Sequence, residues 1–144
     1  MALAVDANAE HSVSYVPGCD AVECNNTDAF PPALAAAQEA DAIVVLFGLH
    51  YDAAGNATQC DRPKPWITDI ACEGEGIDRQ FIELPGNTTA FIAALREAAP
   101  HTPLIGVLIH GGALALGTAA DDLDAVVVST FRLAQGDTVI LHCH

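Results

Sequence analysis

The chain has 144 residues, of which 51% are hydrophobic and 17% charged, so it reads as one globular domain large enough to bury a core without staples. Nineteen acidic residues against five basic ones give a formal charge of −14, which argues against nucleic acid or an anionic membrane as partner and points to neutral or cationic substrates. No apolar run is long enough to span a bilayer, and Met1 to Asp6 has neither a basic n-region nor a long apolar h-region.

In chain order, residues 1–11 are small and polar and read as a frayed arm, leaving 12–144 as the domain. Ser12 to Val16 alternates as a short strand would and is ended by Pro17-Gly18. After a loop with Cys19 and Cys24, Asp28 is placed to cap an alanine-rich helix with Pro31 and Pro32 in its first turn, running to about Ala40. Ile43 to Phe47 is a continuous β-branched run that reads as a parallel strand buried on both faces. From Tyr51 to Ala71 the sequence is polar and aperiodic, and its Trp66 is the only tryptophan. Asn87 or Thr88 opens a helix with Phe91, Ile92, Leu95 and Ala98 on one face, stopped by Pro100. Leu104 to Ile109 and Ala125 to Val128 read as two further buried strands, while Thr138 to Leu141 suits a strand or a helix.

Strands alternating with helices over short connections predict right-handed βαβ units. The expected fold is α/β, a flavodoxin-like three-layer α/β/α sandwich with a mostly parallel sheet, incomplete at its C-terminal side. Sites on such sheets lie at the carboxyl ends of the strands. That edge would carry Gly48-Leu49-His50, His110-Gly111-Gly112 and the stretch between Cys72 and Arg79.

This last stretch, Cys72-Glu73-Gly74-Glu75-Gly76-Ile77-Asp78-Arg79, places three carboxylates and an arginine among two glycines. Glu73, Glu75 and Asp78 would raise one another's pKa values while Arg79 keeps at least one ionised, which suits general acid/base work. An ordinary solvated acidic loop has the same spacing. His50 and His110 fit either structural hydrogen bonding or contact with substrate. His142-Cys143-His144 reads as an exposed chain end, so no metal site is assigned. No glycine-rich phosphate loop follows the first strand, and no cofactor is expected. Five cysteines and the sequons at Asn25, Asn56 and Asn87 lean towards an oxidising, extracellular setting, although no leader is present and five reduced thiols are the alternative. Cys60 and Cys72 would close one loop, and Cys143 is left over.

Glu-Gly-Glu-Gly-Ile-Asp-Arg, followed by Phe81-Ile82 and then Leu84-Pro85-Gly86, resembles the acid/base loop in the C-terminal α/β domain of family 3 glycoside hydrolases, above all the β-xylosidase branch. Tyr15-Val16-Pro17-Gly18-Cys19, Ala40 to Leu49 and Pro103 to Gly112 are similar to flanking stretches of that family in the same order, so the likeness covers about residues 13 to 129. The resemblance implies retaining hydrolysis by two carboxyl groups on either side of the glycosidic bond, with no cofactor. Glu75 matches the acid/base, and Glu73 is the alternative. Asp78 and Arg79 match a loop-holding pair with substrate contacts, and His50 and His110 would flank the sugar. Trp66 would then either stack on a sugar face or anchor its loop. The family's nucleophile comes from a separate (β/α)8 barrel, so the implied partners are that barrel domain and an oligosaccharide or aryl glycoside. Cys19 and Cys24 match a pair in plant-like members. The implied function is exo-β-xylosidase-like hydrolysis by a secreted parent protein of which this chain is a piece. The alternative is a non-catalytic carbohydrate-binding or interaction remnant. The likeness breaks at Ala113-Leu114-Ala115, where the family carries an aspartate, and fades after Ser129.

Overall fold

The computed structural model describes residues 12–51, 71–73, 79, 81–130 and 139–142. The fold is α/β, with a mostly parallel sheet, as the alternation of strand and helix patterns predicts. Strand β1 (Ile43–Gly48), β4 (Leu104–His110) and β5 (Ala125–Thr130) are parallel, and β6 (Val139–His142) closes the sheet antiparallel to β5, in the order β1-β4-β5-β6. A second small sheet pairs β2 (His50–Tyr51) with β3 (Cys72–Glu73), also parallel. The helices are α1 (Phe30–Gln38), α2 (Thr88–Ala98) and the single turn α3 (Ala119–Asp122).

Register follows from burial. Ile43 stands opposite Leu104 and Ile105 opposite Ala125, so alternate residues of the three parallel strands share a face. Val45, Leu104 and Leu108 point to one face, where Phe30, Ala33 and Ala37 of α1, Phe91, Ile92 and Leu95 of α2 and Ala119 of α3 meet them in one core. The rings of Phe30 and Phe91 lie 4.8 Å apart and tilted, which joins α1 to α2. Gly106 leaves room on this face for Leu123 and Phe47, each 3.0 Å from where its Cβ would be.

Three local expectations are corrected. Ser12 to Val16 is no strand; residues 12–15 are exposed with no strand to pair with among the described residues, and only Val16 reaches the core. Asp28 does not cap α1. The cap position is Ala29, with no side-chain bond. Two of the first-turn residues are prolines without an N–H, and the Phe30 N–H is taken by the Thr27 carbonyl, so little is left for a cap to satisfy. The β1 strand is not buried on both faces either: Val44 is 40% and Leu46 51% exposed, because all the described helices lie on the Val45 side.

Elsewhere the segment before α1 is fastened to the start of α2. The disulfide Cys19–Cys24 closes a six-residue loop, and the buried Cys24 turns its carbonyl to the N-terminus of α2. There it accepts from both the backbone N–H and the side-chain amide of Asn87, each at 2.9 Å. Gly86 enables this approach. Its φ is +50°, and a Cβ would lie 2.0 Å from the Glu23 carbonyl oxygen.

Candidate functional site at the carboxyl edge of the sheet

The site is assembled where β1 and β4 end. Gly48 adopts φ +143°, and the next N–H, that of the buried Leu49, bonds to the Ile109 carbonyl at 2.8 Å. This turns the chain out of the main sheet into β2. His50 then stands opposite Cys72 and Tyr51 opposite Glu73. The expected edge therefore does bring the end of β1, the start of the acidic stretch and the end of β4 together.

Glu73 is the charged residue at its centre and is only 6% exposed. One carboxylate oxygen accepts the Gly111 N–H, and the other accepts the Gly112 N–H at 2.7 Å. Both donors follow directly after β4, where the glycine pair presents two successive N–H groups. Next to them, His110 donates through Nδ1–H to the Gly112 carbonyl at 2.6 Å, since a carbonyl can only accept. In the neutral ring this leaves Nε2 as an acceptor.

Arg79 is half-buried beside Glu73. Burial lowers its pKa, while the charges of Glu73 and Glu83 act in the opposite sense. Its Nη2–H donates to the Glu83 carbonyl at 2.6 Å, whereas Nε and Nη1 are buried with no hydrogen-bond partner among the described residues. Such orphaned donors are costly unless a ligand or water meets them. Glu83 forms an isolated parallel bridge to Ala115, whose N–H bonds to the Ile82 carbonyl, so the segment after the acidic stretch is tied to the loop after β4. Glu75, Asp78 and Trp66 lie outside the described residues.

Cys72 is disulfide-bonded. Cys19 and Cys24 pair with each other, and Cys60 and Cys143 lie outside the described residues. Among the described residues no group of His, Cys, Asp and Glu could hold a metal ion, and no helix is long and apolar enough to cross a membrane. Sequence reasoning missed the Glu73 bonds to Gly111 and Gly112. The glycine pair at a strand end was the available signal, but a partner 38 residues earlier carries no local mark.

The sequence model described as "Glycosyl hydrolase family 3 C-terminal domain" matches residues 4–142. A beta-xylosidase of Formosa agariphila is 26% identical over 132 residues, covering 90% of this chain and 15% of that protein. An exo-1,4-beta-xylosidase of Aspergillus niger and one of Aspergillus awamori are each 31% identical over 104 residues, covering 72% of this chain and 10% of theirs. The chain thus spans 10–15% of the length of these relatives. With the family's pattern matched over nearly its whole length, the chain belongs to the C-terminal domain family of glycosyl hydrolase family 3.

Proposed function

We propose that this domain contributes the acid/base half of a retaining exo-β-xylosidase, acting with a nucleophile carried by a family 3 barrel domain. The observation that carries the reading is the convergence of β3, from which the acidic stretch departs, with the exits of β1 and β4 at one sheet edge. The relatives' names supply the sugar class. In this reading Glu75 protonates the leaving glycosidic oxygen and then removes a proton from the incoming water, while the barrel's carboxylate attacks the anomeric carbon. Arg79, with two buried donors unmatched among the described residues, meets a sugar hydroxyl pair, and Asp78, His50 and His110 complete the contacts. The parent protein is secreted, a setting in which the Cys19–Cys24 bridge persists.

The test is hydrolysis of p-nitrophenyl β-xyloside and β-glucoside by the chain assayed with a family 3 barrel domain. Glu75→Ala is expected to lower turnover by about 10²- to 10⁴-fold, the usual contribution of a positioned acid/base. Unchanged turnover in that variant removes the assignment. Sugar binding without any turnover in the unmodified pair would instead identify a non-catalytic carbohydrate-binding domain.

A further inference from the structure

Glu73 stands out because its chemistry is already committed. A carboxylate withdrawn from water needs its oxygens satisfied, and here each oxygen accepts one N–H from two successive residues, Gly111 and Gly112. The fit is close, for a Cβ on Gly112 would stand 3.1 Å from the second oxygen. Arg79 adds a positive charge from its side of the carboxylate. Glu73 thus enters the site as an acceptor at both oxygens, the opposite of what a general acid presents to a leaving group.

We propose that Glu73 is a positioning residue that fastens the exit of β4 to β3, setting the start of the acidic stretch at a fixed distance from His110. The clamp couples elements 38 and 39 residues apart in sequence. Besides it, β3 is held by the backbone pairings of Cys72 with His50 and of Glu73 with Tyr51 and by the disulfide of Cys72. The effect of Glu73 on turnover rests on the acid/base reading above. The clamp itself does not.

Amide exchange in the 144-residue chain tests the clamp with no substrate present. In Glu73→Gln a side-chain NH2 faces one of the two N–H donors, and in Glu73→Ala both donors lose their acceptor. Exchange at Gly111 and Gly112 is expected to rise about tenfold or more in both variants, with the amides of Leu104 to Leu108 unchanged. Unchanged exchange at the glycines overturns the clamp. Should neither variant fold, through-hydrogen-bond couplings from the two glycine nitrogens to the Glu73 carboxyl carbon in the unmodified chain decide it, and their absence overturns it. With the barrel domain supplied, azide should restore aryl xyloside turnover to Glu75→Ala but not to Glu73→Ala. Azide rescue of Glu73→Ala would make Glu73 the acid/base and overturn the proposal. An inactive unmodified pair would sink the hydrolase reading while the exchange result still decided the clamp.

Discussion

At the scale of single residues, Gly48 decides whether the edge is built at all. Its φ of +143° lies where side chains are strained, and a Cβ would come within 1.9 Å of the Ile109 carbonyl oxygen. That same oxygen accepts the Leu49 N–H which steers the chain into β2. Gly48→Ala must therefore push β1 away from β4 or abandon the bond, and a loss of about 3 kcal/mol in urea unfolding is expected. The glycine was legible in the sequence as the end of an apolar run, but its conformation was not, because nothing local distinguishes an extended glycine from one at positive φ. The same limit applies to Glu73. Its carboxylate was legible as a member of an acidic cluster, and its partners were not, since they depend on how β4 ends.

Elements were legible in proportion to their length and period. The apolar face of α2 and the run from Leu104 were long enough to be read within a residue or two of their bounds. The two-residue strands β2 and β3 and the four-residue α3 carry no period, and only tertiary contacts define them. What holds α2 against the sheet was likewise invisible. Arg96, near its end, donates from Nε to the Asp122 carbonyl at 2.9 Å, from Nη1 to the Thr102 carbonyl at 3.1 Å and from Nη2 to the Asp124 carboxylate at 2.7 Å. Asp124 also accepts the Leu104 N–H at 2.8 Å, at the first residue of β4. That backbone bond, and then Arg96, hold the Asp124 pKa below its ordinary value of 3.8. A lowered folded-state pKa means that the contribution is complete above 3.8 and lost as pH falls through the folded value. Asp124→Asn should therefore melt below the unmodified chain near neutral pH, with the gap closing as the acid limb is entered. A gap independent of pH would show that the charge is not what holds this corner. Arg96→Lys should not restore Arg96→Ala, because one ammonium cannot reproduce the three directions of the guanidinium, and about 1–2 kcal/mol is expected to be lost in both.

For the whole molecule, the balance lies between an apolar sheet face and a large negative charge. Val44 and Leu46 are well exposed on β1, and Ile105, Val107, Ile109 and Val127 are only half-buried on the same side by the register. The outer edge of β1 pairs with no strand among the described residues. A face and an edge of this kind favour association between copies. The charge of −14 opposes it, but over a range of only about 10 Å at 0.1 M salt and less at higher salt. Sedimentation of the chain should accordingly show self-association that grows as salt is raised. Val44→Lys with Leu46→Lys separates the two forces. The pair reduces the magnitude of the net charge, so association governed by charge alone would increase. Association driven by the sheet face should instead fall, because two ammonium groups would have to be stripped of water to bury it. A stronger tendency to associate in the double variant would mean that the exposed face of β1 is not the contact.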